Sequence, residues 1–447
     1  MKNPNEVVVV GGGLAGSEAA FQASRRGVPV VLYEMRPGRM TEAHGTGRLA
    51  ELVCSNSLKS DAPGTAAGLL KAELRAVGSG LMAAADATRV PAGTALAVDR
   101  VRFSEEVERM LRAEARVRVV RQEVNDLDPS ALTVVATGPL TSQGLSDWIR
   151  KSLGRESLFF YDAISPIVDA GSVDLDKAFG ASRYGKGDGG YLNCPLDEAE
   201  FGAFREALLS AELASCREFD KIPFFEGCLP VEEVARRGRQ ALAFGAMKPV
   251  GLTDPRTGRM PYAVVQLRPE NRDRTMYGMV GFQTRLKVPD QRRVFRMIPG
   301  LERAQFLRYG SVHRNSFINS PECLLPSLQT RLSRTLFVGG QLSGVEGYAE
   351  SIATGLLAGL NAARLALGLA PVVPPPETAI GSLCRYVAAP GVGPFQPMNF
   401  NFGLLPPLPA GRRRAGDRKG LYCSRAREKL TEWLAESGAA GTTAGTE

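Results

Sequence analysis

The chain has 447 residues, 44% of them hydrophobic and 23% charged, with 49 glycines, 29 prolines and a formal net charge of +8. A chain of this size buries a sizeable core without disulfide staples, and its ordinary globular balance excludes a collagen, a coiled coil and a wholly disordered protein. Seven cysteines without a CxxC pair, and only two histidines, make a poor disulfide framework and a poor zinc site, so free thiols and no metal are expected.

Residues 1–6 lead straight into Val7–Val10 with no long apolar region or small-residue cleavage site, so a cytoplasmic location is expected. The nearest approach to an apolar span, residues 352–373, is interrupted by Thr354, Asn361 and Arg364, and no membrane contact is expected. Val7–Val10 reads as a buried strand. Gly11, Gly12, Gly13, Leu14, Ala15 and Gly16 follow, then a helix over 17–26 closed by Gly27, then a second strand over 29–34. This is a βαβ unit. Residues 36–63 read as a long loop, a class that in compact domains usually carries function. Helices are expected over 66–85 and 104–114, and short strands at 117–120 and 132–136. From about 159 to 329 the pattern changes to strand-like runs (262–267, 275–280), turns and short helices such as 198–213. Strand, glycines and helix return after Thr335-Leu336-Phe337-Val338, with a helix over 349–367 ended by the proline run at 374–376.

Gly11, Gly13 and Gly16 sit between an apolar strand and a helix, and Glu34 ends the next strand 23 residues after Gly11. That context makes the glycine motif specific. Glycines permit a tight turn and close approach of the backbone to a pyrophosphate, and the helix N-terminus supplies oriented N–H groups. Glu34 is placed to accept from ribose hydroxyls. Residues 231–330 carry a net charge of +9 and residues 411–430 a net +6. Such concentrations suit a polyanion, or a solvated surface.

Thr133-Val134-Val135-Ala136-Thr137-Gly138 resembles the second strand-to-loop motif of FAD-binding oxidoreductases of the glutathione reductase type. Thr335-Leu336-Phe337-Val338-Gly339-Gly340 resembles their late flavin motif, with Gln341 where an aspartate usually stands. The segment at 185–190, Gly-Lys-Gly-Asp-Gly-Gly, lacks both the strand and the spacing of a second dinucleotide motif, so NAD(P)H is expected to visit the flavin without a domain of its own. The stretch from Gly340 to Ser351, with Ala353, Gly355, Ala358, Gly359 and Asn361, resembles the GidA/MnmG-related flavoproteins that modify tRNA uridines. Within that family the chain is similar, over nearly its whole length, to the TrmFO branch, the folate- and FAD-dependent tRNA (uracil-5-)-methyltransferases. The similarity rests on Gly11–Gly16, Tyr33–Arg36, Leu52–Leu58, Phe225–Pro230, Ser311–Asn315 and Asn399–Gly403.

The resemblance implies an α/β fold: a glutathione-reductase-type Rossmann FAD-binding domain in two parts (1–158 and 330–437, the second with a basic C-terminal cap). An inserted smaller α+β substrate and tRNA domain spans 159–329, and a disordered tail 438–447. It implies methylation of C5 of a T-loop uridine, with 5,10-methylenetetrahydrofolate as carbon donor, reduced FAD as reductant and NAD(P)H as its source. No obligate protein partner is evident. FAD contacts are expected from Gly11–Gly16, Glu34, Gly138, Gly340, Gln341 and Tyr348. A MnmG-like wobble-uridine modifier, a plain NAD(P)H flavin oxidoreductase and a non-catalytic flavin-bound RNA-binding protein are the competing readings.

Uracil C5 becomes nucleophilic when a thiolate adds to C6. Cys228 fits that need: a helix expected over 231–237, with Pro230 at its start, would set its positive end near the sulfur. A small buried hydrophobe is the alternative reading of the same residue. The resemblance implies a second catalytic cysteine at Cys54, as base for the C5 proton or as stabiliser of an intermediate. It also implies His313 stacked on the folate pterin and a flavin or folate wall at Tyr348. Arg285 and Lys287 are candidates for folate carboxylates or tRNA phosphates. Arg412, Arg413, Arg414, Arg418 and Lys419 are the candidates for tRNA phosphates. Cys194, Cys216, Cys323, Cys384 and Cys423 read as structural.

Overall fold

The computed structural model describes residues 5–153, 158–185, 190–214, 229–389, 395–409 and 415–439. Strand β1 (Val7–Val10) leads through the glycine turn into helix α1 (Leu14–Arg25), and the chain returns as β2 (Val30–Tyr33). With β3 (Val117–Val120), β4 (Leu132–Val135) and β5 (Leu336–Val338) these strands form one sheet in the order β5-β4-β1-β2-β3. Every pairing in it is parallel, and Val7 lies opposite Val30 on one side and Leu132 on the other. Both faces of a parallel sheet are covered, so its strands are nearly continuous in apolar residues.

On one face, α1 packs against helix α2 (Tyr348–Ala366). The approach is close because α2 presents glycines to small residues of α1. A Cβ on Gly355 would stand 2.2 Å from the Ala15 carbonyl oxygen, and one on Gly359 2.3 Å from that of Ala19. On the other face Leu145, Ile149, Leu324 and Leu342 cover Val10, Val135 and Val338. A C-terminal helix, Ala415–Ser437, adds Tyr422, Ala426, Leu430 and Trp433 to the α1–α2 core. None of the described helices is long and apolar enough to cross a membrane.

Residues from 168 to 304 build a second core around Phe201, Phe204, Phe282 and Phe295. Its frame is a six-stranded antiparallel sheet in the order Phe179–Gly180, Leu192–Leu196, Ala263–Pro269, Met276–Met279, Ile167–Asp169 and Phe306–Arg308. The whole is a mixed α/β structure with a Rossmann-like parallel sheet and added antiparallel sheets.

Several element bounds differ from the sequence reading, each for a local reason. Helix α1 starts at Leu14, because Gly13 takes the cap position without needing a side chain. The helix expected over 66–85 is two helices, Ala66–Val77 and Gly80–Ala87. Gly78 turns left-handed (φ 83°) and the Ser79 hydroxyl caps the second helix by accepting from the Met82 N–H. The helix expected from 104 begins at Arg100, since the Asp99 carboxylate accepts from the Val101 and Arg102 N–H groups.

Candidate active site

The glycine turn opens onto a cleft of about 1010 Å³, counted to its mouth, at the C-terminal ends of β1, β2 and β4. That is where ligands enter open α/β sheets. Gly11 has φ +102°, and a Cβ there would strike the Ala136 carbonyl at 2.6 Å; a Cβ on Gly16 would stand 1.7 Å from the Gly11 carbonyl. Gly13, in contrast, has nothing within 4 Å of its Cβ position, and no side chain caps α1. The first N–H groups of α1 therefore face the cleft with their hydrogen-bonding capacity available to an anion. Gly138 (φ +67°), Gly340 (φ +74°), Gln341 and Tyr348 line the same cleft. Met35, residues 39–42 and residues 139–143 carry it outward to Arg150 and Ser316.

Glu34 lines the same cleft. Its carboxylate accepts from the Gly12 N–H at 2.9 Å, the Arg36 N–H at 2.9 Å and the Arg36 guanidinium at 2.9 and 3.2 Å. Burial pushes the Glu34 carboxyl up, but the Arg36 and Gly12 donors outweigh burial and hold its pKa below the usual carboxylate value. These donor and acceptor groups, and the bare glycine cradle, fit a dinucleotide cofactor of the FAD type. The Gln341 side chain donates to Glu346 Oε2 at 2.8 Å.

Residues 52–56 form a strap between this cleft and a second one. Val53 lines the first; Cys54 and Ser55 line the second. The Tyr348 hydroxyl, at the start of α2, accepts from the Cys54 N–H at 2.9 Å and the Ser55 N–H at 3.1 Å. Arg100 donates to the Leu52 and Cys54 carbonyls, and Arg308 to those of Val53 (3.0 Å) and Cys54 (3.3 Å). Asn56 is fully buried; its amide donates to the carbonyls of Val98 (2.9 Å) and Pro269 (2.8 Å), and its oxygen accepts from Arg268 Nε at 2.7 Å. The strap is thus pinned from the nucleotide fold on one side and from the antiparallel sheet on the other.

The second cleft, about 460 Å³ to its mouth, is lined by Arg100, Arg268, Arg308 and a single carboxylate, Glu270. Arg100 Nε donates to Glu270. Burial pushes Glu270 up, and Arg100, Arg268 and Arg308 more than reverse it. Burial, with Arg100 adding to it, lowers Arg308 to about 10. Arg100 rises despite burial, because Glu270 faces it. Burial also raises the Tyr348 hydroxyl well above its ordinary value. Arg100, Arg308 and Tyr348 all lie within electrostatic reach of the Cys54 thiol. Gly278 makes room for Glu270, since a Cβ there would meet its Oε1 at 2.2 Å.

Of the residues singled out in the sequence, the structure brings together the glycine turn, Glu34, Gly138, Gly340, Gln341, Tyr348 and Cys54. Arg285 is engaged elsewhere: its guanidinium pairs with Glu233 and stands 4.0 Å from Glu232. Lys287 pairs with Glu212. Other cations of the stretch 231–330 are engaged in the same way, in the pairs Arg239–Glu198, Arg256–Asp254 and Arg293–Asp290. His313 lies in a strand opposite Asp162, and its side chain is outside the described residues. Cys216, Cys228, Arg412, Arg413 and Arg414 also lie outside them. Arg418 and Lys419 are exposed on the C-terminal helix. Cys194, Cys323, Cys384 and Cys423 are buried, and burial lifts the thiols of Cys194 and Cys384 to about 12. Sequence reading missed Arg100, Asn56, Arg268, Glu270 and Arg308. They come from four separate segments, and no local spacing announces them.

The profile of the family described as Glucose inhibited division protein A matches residues 6–370. The chain is 56% identical over 433 residues to a Desulforudis audaxviator (strain MP104C) protein, covering 97% of this chain and 99% of that one. A Geobacter sulfurreducens protein is 56% identical over 430 residues, 96% of this chain and 99% of its own length. Both carry the name Methylenetetrahydrofolate–tRNA-(uracil-5-)-methyltransferase TrmFO. The chain belongs to the GidA family, in its TrmFO branch. Aquifex aeolicus GidA, in its form II crystal, superimposes with a TM-score of 0.71 at 19% identity, over 97% of this chain and 74% of that one. That likeness shows a shared fold.

Proposed function

We propose that this protein methylates C5 of a uridine in the T-loop of tRNA, taking the carbon from 5,10-methylenetetrahydrofolate. The observation that carries this reading is the 56% identity over 97% of the chain to a relative bearing that activity in its name. The geometry supports it. A cleft suited to FAD and a cationic cleft share one wall, and that wall carries a cysteine.

Reduced FAD, when bound, supplies the hydride that turns the transferred one-carbon unit into a methyl group, and NAD(P)H restores it. Gly11–Gly16 and Glu34 hold the dinucleotide; Gly138, Gly340, Gln341 and Tyr348 wall its ring end. A thiolate adds to uracil C6, the C5 carbon attacks the electrophilic one-carbon unit, the C5 proton leaves to a base as the tetrahydrofolate nitrogen departs from that carbon, and the sulfur departs from C6 as hydride reaches the resulting methylene and the C5–C6 double bond re-forms. Cys228 is assigned the addition and Cys54 the C5 proton. The pinned strap fixes where the Cys54 sulfur stands. Arg418 and Lys419 meet tRNA phosphates together with Arg412–Arg414, and His313 stacks on the pterin. The location that suits this reading is the cytoplasm.

The test uses purified protein, unmodified tRNA transcript, NAD(P)H and folate labelled in the methylene carbon, beside a parallel reaction with labelled S-adenosylmethionine. Label in 5-methyluridine from folate alone is expected. NAD(P)H oxidation without label in RNA would move the assignment to a plain flavin oxidase or a wobble-uridine modifier.

A further inference from the structure

We infer that the cationic cleft on the Cys54 side of the strap is the seat of the target nucleotide, and that Arg268 holds its phosphate. The inference rests on the methylation reading above and gives it a substrate side. Cys54 and Ser55 line this cleft, whereas the dinucleotide cradle lies across the strap.

Arg268 is the residue that asks for an anion. It sits on the strand Ala263–Pro269 and is 9% exposed. Only its Nε is used, by Asn56 Oδ1 at 2.7 Å. Its two terminal nitrogens, with four N–H donors, have no hydrogen-bond partner among the described residues. The one carboxylate in the cleft, Glu270, is taken by Arg100. The guanidinium of Arg308 is turned to the carbonyls of Val53, Cys54 and Ser165. Arg268 therefore turns a charged fork into a cleft that holds three guanidinium groups against one carboxylate, Glu270, which is already hydrogen-bonded to Arg100. A planar fork with two parallel donors matches a phosphate. An uncharged uracil ring offers it carbonyl acceptors but no counter-charge. A nucleotide does: the phosphate reaches Arg268 while the base lies along the strap toward Cys54, with the Gln283 side of the cleft as the opposite wall. A nucleotide held this way has left its base stack, as enzymes that act on a base require. A folate carboxylate carries the same charge, and the test separates the two.

The experiment measures equilibrium binding of uridine 5′-monophosphate and of uridine to the FAD-loaded protein, for wild type, R268Q and R268K. Wild type is expected to prefer the monophosphate by about 10- to 100-fold, the worth of a charge-assisted pair. In R268Q that preference falls to near one, and R268K restores part of it. In the methylation assay R268Q raises the KM for tRNA by a similar factor, while FAD content and the KM for methylenetetrahydrofolate stay within twofold. The idea is overturned if wild type does not distinguish the two ligands, or if R268Q keeps the wild-type preference; Arg268 is then a peg for Asn56. It is also overturned if R268Q instead raises the folate KM and abolishes a preference for polyglutamyl over monoglutamyl folate. A wild type that prefers the monophosphate through Arg268 yet transfers no carbon to tRNA leaves the phosphate site standing and removes the methylation reading.

Discussion

Replacing Tyr348 by Phe removes one oxygen and keeps the ring against the nucleotide cleft. That oxygen accepts from two consecutive strap N–H groups, at 2.9 and 3.1 Å. Each lost bond costs about 0.5–1.5 kcal/mol net, so the change weakens the strap by about 1–3 kcal/mol. Arg100 and Arg308 still hold the carbonyls of residues 52–54, so the strap stays folded while Cys54 wanders. A loss of about 2 kcal/mol in the productive arrangement is roughly a 30-fold fall in kcat/KM. The assay is transfer of labelled methylene carbon to tRNA, read beside FAD absorbance and the thermal midpoint. FAD content is expected to stay at the wild-type level. Tyr348→Phe with kcat/KM within twofold of wild type would refute the claim that the hydroxyl positions the cysteine.

Three further outcomes follow from the same structure. Gly359→Ala pushes a methyl group into the Ala19 carbonyl, 2.3 Å from the ideal Cβ; such overpacking costs about 1–3 kcal/mol, visible as a lower urea midpoint, and an unchanged midpoint would show that α1 and α2 can part freely. Burial raises Glu73 to about 8, against the N–H groups of Ala379 and Ile380. The folded chain then keeps a proton that the unfolded chain releases near its ordinary value of about 4.3. The contribution is complete below that pH, falls as pH rises and is gone above about 8, a span of about 5 kcal/mol. The stability of Glu73→Gln should lack that decline, and equal pH slopes in the two proteins would contradict it. Arg418→Ala with Lys419→Ala should weaken tRNA binding uniformly across tRNA sequences and flatten its salt dependence by up to about two phosphate equivalents; an unchanged slope would take that helix out of the RNA contact.

The nucleotide half of the molecule was legible because its signals are local. Four valines, a glycine turn and an alanine-rich helix specify β1, α1 and the cleft within a short stretch, and Glu34 is fixed by the end of the next strand. Gly355 and Gly359 could be noticed as small residues, but their purpose appears only when α2 meets Ala15 and Ala19. Cys54 was found by its resemblance context. Its clamp was not, because Arg100, Arg308 and Tyr348 lie 46, 254 and 294 residues away in the chain. The basic stretch 231–330 was read as a single charge, whereas within it Arg239 and Lys287 are already paired with carboxylates from outside, Glu198 and Glu212. Arg268, buried among apolar strand residues, looked like one cation of many; only tertiary structure shows that its fork ends in open space.

The most direct measurement places FAD-loaded wild type and Cys54→Ser side by side in a single-turnover reaction with labelled methylenetetrahydrofolate and unmodified tRNA, followed by nucleoside analysis. Labelled 5-methyluridine is expected from wild type and none from Cys54→Ser, with equal flavin absorbance in both. Transfer by Cys54→Ser at the wild-type rate, or no labelled 5-methyluridine from wild type, would contradict that expectation.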